Sequence, residues 1–181
     1  TNEGQKISKS LGNVIEPHAL IEAYGLDPVR YFLLREVPFG QDGDFSRRQM
    51  VGRLNGDLAN DLGNLAQRVL SFIAKNAGAA VPQPGAFDPK DEDLLNEARG
   101  LVGGVRSLLF GSPNSPEFHR ALEAVWATVT AANFYVDKQA PWTLRKTDPA
   151  RMATVLYALS ECLRAIAIVQ SAPLCRVREP M

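Results

Sequence analysis

The chain has 181 residues, 45% apolar and 22% charged, and its 20 Lys/Arg balance 20 Asp/Glu. A net charge of zero excludes the global basic field that marks many nucleic-acid binders. Two cysteines exclude a disulfide scaffold and point to a reducing, cytosol-like compartment. No stretch approaches the roughly 20 apolar residues of a membrane-spanning helix, and no signal peptide is visible.

Charge is unevenly distributed. Residues 1–44 hold four Lys/Arg against seven Asp/Glu (−3), and residues 45–181 hold sixteen against thirteen (+3). The second part can therefore meet a polyanion without being required to. The chain starts at Thr1, inside what reads as a loop, and is expected to be a fragment of a longer protein.

Residues 1–16 lack helical period and contain Gly4, Gly12 and Asn13, which suits a loop with a short strand. Pro17 can open a helix that Gly25 stops, and Asp27-Pro28 signals a second start. Residues 38–45 are turn-rich. From Ser46, Val51, Leu54, Leu58, Leu62, Leu65, Val69 and Phe72 recur at steps of three and four, predicting one long α-helix to about Asn76-Ala77-Gly78. After a Pro/Gly linker at 81–89, Leu94, Ala98, Leu101, Val105 and Leu108 predict a helix interrupted at Gly103-Gly104. Phe118 to Val136 predict a third, N-capped near Ser115-Pro116 and broken at Pro141-Trp142. Asp148-Pro149 restarts the chain into a fourth through Met152, Leu156, Leu159, Leu163 and Ile166.

Four long helices with short connections pack most simply as an up-and-down antiparallel bundle. The expected fold is mainly α: a helical bundle over 46–172, preceded by a small α/β element over 1–45. The tail 173–181 is expected to be disordered. Cys162 falls in an apolar helical pattern and reads as a buried free thiol. His18 and His119 stand alone, with no partner at metal-ligand spacing, so no metal site is expected.

The most informative motif is Lys6-Ile7-Ser8-Lys9-Ser10, followed by Leu11-Gly12-Asn13-Val14-Ile15. Two lysines three apart between glycines suit a mobile loop gripping phosphate, because an ammonium on a long stem can follow a moving negative charge. The plain alternative is a solvated basic turn. Ser8 and Ser10 have no His or Asp partner in the motif and read as loop-shaping residues. Asn64 and Arg68, four apart, lie one above the other beside the apolar stripe; from the residues alone they are ordinary solvated positions. Trp142 after Pro141 is, on the same terms, a core plug at a turn, and Trp126 belongs to the core. Arg145 and Lys146 fit a solvated turn or a contact to a phosphate backbone.

The segment GQKISKSLGNVIEP resembles the KMSKS signature of the class I aminoacyl-tRNA synthetases, with Ile7 in place of methionine. The run from Tyr24 to Leu34 is similar to the segment after that signature in the Met/Ile/Val/Leu group. Arg35 to Ser46, together with Asp137-Lys138-Gln139-Ala140-Pro141-Trp142, resembles the methionyl-tRNA synthetases in particular. The resemblance covers roughly residues 4–170. It implies that Lys9, supported by Lys6, contacts the phosphates of ATP, and that Asn64, Arg68 and Trp142 read the CAU anticodon. It further implies ATP with Mg, methionine and tRNA(Met) as partners of the parent enzyme, a cytoplasmic location (with an organellar matrix as the alternative), no membrane, and no metal site in this part. Residues 1–45 then end a catalytic domain, whose nucleotide-binding fold would lie before Thr1, and the isolated chain would be inactive. Two other readings are open: a non-catalytic tRNA-binding or assembly module of the same helical fold, and a synthetase for Ile, Val, Leu or Cys.

Overall fold

The computed structural model describes residues 1–111 and 116–174, with side chains through Ser171. Helices α1 (Pro17–Tyr24) and α2 (Leu26–Glu36) follow an N-terminal loop. A continuous helical run then comprises α3 (Arg47–Arg53), a π-helical stretch (Leu54–Gly63) and α4 (Asn64–Asn76). The remaining helices are α5 (Pro89–Phe110), α6 (Phe118–Gln139), the short α7 (Pro141–Thr147) and α8 (Pro149–Leu174). The fold is an antiparallel helical bundle. The β part expected before it is reduced to isolated bridges pairing Asn2 with Gln5 and with Phe45; no strand forms among the described residues. Helix α8 runs to Leu174, past the expected limit at 172. The rest of the tail and Ser115 of the expected cap lie outside the described residues.

Three helices form the central unit. α5 packs against α6 and α8, which also pack on each other, and α4 leans on α8 and α6. The buried stripe predicted from the sequence is present: Leu94, Ala98, Leu101 and Val105 of α5 face Leu122, Val125, Val129 and Val136 of α6 and Leu156, Leu159 and Ile166 of α8. Directions follow from side-chain pairs. Tyr135, late in α6, bonds Asp91 at the start of α5, so these two run antiparallel. An 18-residue window within residues 149–171 of α8 is apolar enough, at mean hydropathy 1.6, to meet a membrane-span criterion by length and composition, which corrects the expectation that no stretch comes near. Here 56% of it is buried, because α8 is enclosed by α4, α5 and α6. Cys162 is fully buried in that helix, and burial, with Glu97 nearby, pushes its thiol up to about 12.

A smaller core joins Leu20, Val29, Phe32, Phe45 and Met50, with Phe32 and Phe45 edge to face at 5.7 Å. α2 serves both cores, since Tyr31 on its other face stacks on Trp126 at 4.8 Å. In the turn between α2 and α3, Gly43 lies so close to Val37 that an added Cβ would sit 2.3 Å from its methyl. Only glycine fits there.

Two sequence expectations fail for identifiable reasons. α5 is not interrupted at Gly103-Gly104. Each glycine costs about 1 kcal/mol in a helix interior, but Leu101 and Val105 on either side are buried and hold the helix together. The helix from Ser46 is not uniformly α. Between Leu54 and Gly63 the hydrogen bonds reach back five residues, and Asn64 N–H accordingly meets the Ala59 carbonyl. Each such turn takes in roughly one extra residue, so the apolar face rotates by roughly half a circle across the stretch. Val51, predicted to share the stripe of Leu65, is therefore 41% exposed, while Met50 beside it is buried in the smaller core.

The start of α5 carries the molecule's most constrained charge. Asp91 has no exposed surface. Arg151 of α8 forks onto it with both guanidinium nitrogens, Tyr135 of α6 donates its hydroxyl, and Asp88 N–H donates at 2.9 Å. Arg151 also pairs with Asp88 at 2.9 Å and bonds Gln139 at 3.0 Å. Burial would raise the Asp91 carboxyl, but the bonds from Arg151 and Tyr135 prevail and hold it below its usual value of 3.8. Replacing Arg151 by Met leaves that carboxylate buried without its cation and should cost about 3–5 kcal/mol in denaturant unfolding. Because the folded carboxyl is lowered, its contribution is complete above the ordinary carboxylate value and is lost as pH falls through the folded one. Stability measured from pH 5 downward should therefore fall more steeply below pH 3.8 in the wild type than in Asp91→Asn.

Candidate functional site

The residues singled out in the sequence fall into two sets, one beside the start of the helical run 47–76 and one toward its far end. The first is the loop of Lys6 and Lys9. Both lysines are exposed, and neither ammonium forms a hydrogen bond or ion pair among the described residues. Lys9 opens a single 3₁₀ turn, Lys9–Leu11. Ser8 caps that turn: its hydroxyl lies 2.6 Å from the Ser10 hydroxyl and accepts from Ser10 N–H. Gly12 closes it at φ +64°, a left-handed value that suits glycine. The serines thus shape the loop.

Asn13, which the sequence reading took only as a loop-forming residue, is the brace. Its amide donates to the Lys6 carbonyl at 3.0 Å and accepts from Ser8 N–H at 2.8 Å, and its own carbonyl accepts from Asn2 at 2.9 Å. The base of the loop is fastened to α3. Glu3 accepts from Arg47 N–H at 3.0 Å and from the Ser46 hydroxyl at 3.2 Å, so its carboxylate completes the N-terminal cap of α3. Asp44 in turn accepts from Gly4 N–H at 2.9 Å.

The second set is built around Arg68. α4 begins at Asn64, so Asn64 and Arg68 lie one α-turn apart, with Asn64 exposed. Arg68 is ion-paired with Asp137 and sits over the Trp142 ring, 5.4 Å from its centroid. Trp142 is 45% exposed, which removes the core-plug reading. Together with Phe72, Lys75 and Pro141, Arg68 and Trp142 line a shallow groove between α4 and α7. Trp126, in contrast, is a core residue.

Every position but Lys138 in the sequence Asp137-Lys138-Gln139-Ala140-Pro141-Trp142 has a definite structural part. Asp137 holds Arg68, and Gln139 accepts from Arg151 of the buried cluster. Ala140 adopts a left-handed conformation (φ +43°) that ends α6. Pro141 then supplies the first residue of α7, where a missing N–H costs nothing, and Trp142 follows it outward. Arg145 bonds Asn76 at 2.9 Å, fixing α7 to the end of α4. Asp137 and Gln139 escaped attention because charged and amide residues late in a helix usually face water. Their place inside the six-residue motif was the available signal.

The arrangement offers an aromatic face, a guanidinium and an amide on one surface. Such groups can stack on an unpaired base and hydrogen-bond its edge. The lysine loop offers two free cations on a braced turn.

Comparison with known proteins bears on the chain as a whole. Residues 1–70 match a family profile described as "tRNA synthetases class I (M)". The methionine–tRNA ligase of Brucella suis is 55% identical over 93% of this chain, and that of Mycobacterium tuberculosis 51% over the same share. The chain spans about a third of the length of these curated relatives, 32% in both cases. Among solved structures, the M. tuberculosis methionyl-tRNA synthetase in complex with methionyl-adenylate superposes with a TM-score of 0.87 at 49% identity, covering 96% of this chain and 34% of that one. The apo form of that enzyme gives 0.84 at 47% identity, covering 96% and 33%. With about half its residues identical along nearly its whole length, and the same fold, the chain belongs to the methionyl-tRNA synthetase family.

Proposed function

We propose that this chain is the part of a cytoplasmic methionine–tRNA ligase that closes on ATP and reads the anticodon of tRNA(Met). The whole enzyme would use ATP with magnesium to activate methionine and then transfer it to that tRNA. The observation that carries the reading is the meeting of Arg68 and Trp142, 74 positions apart in sequence, on one open surface of a chain about half identical to such ligases.

Residues 1–45 end the catalytic part in this reading, and 46–172 form the anticodon-binding part. Trp142 stacks on a splayed base of the CAU anticodon, while Asn64 and Arg68 hydrogen-bond base edges. Lys75, beside the same groove, adds charge for the phosphate backbone. At the loop, Lys9 meets the phosphates of ATP, with Lys6 in support. As pyrophosphate leaves, charge builds on its oxygens. A cation that tightens there stabilises the transition state more than the ground state, which is what raises the rate.

Two measurements test this. The isolated chain should bind a CAU stem-loop more tightly than a GAU stem-loop, and Trp142→Ala should weaken CAU binding by about 1–3 kcal/mol; equal affinities for the two stem-loops would overturn the methionine assignment. In the full-length enzyme, Lys9→Ala should slow methionine-dependent ATP–pyrophosphate exchange by about 10²–10³-fold, with unfolding temperature unchanged because the side chain is exposed and unpaired.

A further inference from the structure

We infer that Asn13 is the positioning residue of the lysine loop: its side-chain amide fixes the backbone of Lys6 and Ser8 and so sets where the Lys9 ammonium is presented. The inference rests on the reading of this loop as the phosphate-binding element of methionine activation.

The geometry is specific to an amide. The Lys6 carbonyl and the Ser8 N–H flank Ile7 and are the two groups that a neighbouring strand would engage. Asn13 Nδ2 donates to the first at 3.0 Å, and Oδ1 accepts from the second at 2.8 Å. A carboxylate could only accept, and would face the Lys6 carbonyl without a proton to share. A methyl group could do neither. No strand or α-helix is formed by residues 1–16; the segment is tied to Phe45 and α3 at its start, and from Gln5 to Asn13 it is held by local bonds such as these.

Lys9 lies inside the ring that the amide closes. From Ser8 the chain passes through the 3₁₀ turn and Gly12 before returning to Asn13. With both ends held by one side chain, and the Asn13 carbonyl anchored by Asn2 at 2.9 Å, the Cα of Lys9 has a fixed station while its ammonium remains free to move. Asn13 touches neither lysine's ammonium. It acts through Lys9.

The test uses the full-length enzyme and compares wild type, Asn13→Ala, Asn13→Asp, Lys9→Ala and the Asn13→Ala/Lys9→Ala double variant. Misplacing a reactive group by about 1 Å can cost about a hundredfold. Asn13→Ala is thus expected to lower kcat of methionine-dependent ATP–pyrophosphate exchange by about ten- to a hundredfold, with the KM for methionine unchanged, and Asn13→Asp to resemble it. Ser8 N–H should exchange with solvent faster in both. The double variant should be no slower than Lys9→Ala alone, because removing Lys9 removes what Asn13 positions. The inference is overturned if the two losses multiply, if kcat is retained while Ser8 N–H becomes exposed, or if kcat falls while that amide stays protected. A wild-type enzyme without methionine-dependent exchange would overturn the reading of the loop and this assignment with it.

Discussion

A carboxylate with no exposed surface must be answered by donors from its surroundings, and at Asp91 they come from three helices. Arg151 brings the start of α8, Tyr135 the end of α6, and Asp88 and Asp91 the capped start of α5. A mispairing of any of these ends would strand a buried charge, which is costlier than a mispacked methyl. The cluster therefore fixes which ends of the bundle meet, and the apolar stripes fill in between. Its reach extends to the candidate interface. Arg151 also holds Gln139, the next residue is the left-handed Ala140, and two residues further is Trp142.

The two candidate sites are joined by covalent structure as well as by packing. Glu3 caps the helical run at whose far part Arg68 sits, on the order of 30 Å along the axis at 1.5 Å per residue. Along that span Asp57 receives the Tyr31 hydroxyl at 2.5 Å, and the Asp61 carbonyl receives Asn133 at 3.2 Å. Burial, and then the bond to Asp57, push the Tyr31 hydroxyl well above its ordinary value, so it stays a neutral donor. The run is thus gripped by α2 on one side and α6 on the other.

The helices that bury a continuous stripe were readable directly. Apolar spacing located α5, α6 and α8, and Asp148-Pro149 marked the start of the last. Reading failed where tertiary packing overrides local preference. Gly103-Gly104 reads as a break, and only the burial of Leu101 and Val105 shows why it is not one. The π-helical stretch leaves no trace in a three-and-four pattern, because leucines remain at plausible spacings while the helix beneath them is wound differently. At the sites, Lys6, Lys9, Asn64, Arg68 and Trp142 stand in motifs and were singled out from them. Asp137, Gln139 and Asn13 stand in the same motifs, but their partners are remote or are backbone groups, and spacing alone could not supply those.

The π-helical stretch also changes what sequence length means in this chain. In a loop, losing one residue shortens a path; in an α-helix it turns everything beyond it by about 100°, the angle of one residue at 3.6 per turn. Between Leu54 and Gly63 the surplus is already wound into the helix, so a one-residue deletion there could be absorbed by tightening a turn to α. The helix would survive and its two halves would go on facing their separate cores, because a turn that loses one residue as it tightens from π to α still sweeps about one full circle. These ten positions are in effect an angular reserve: a residue lost here is taken up by the winding, whereas the same loss within α5 or α6 would turn one half of the buried stripe away from the core.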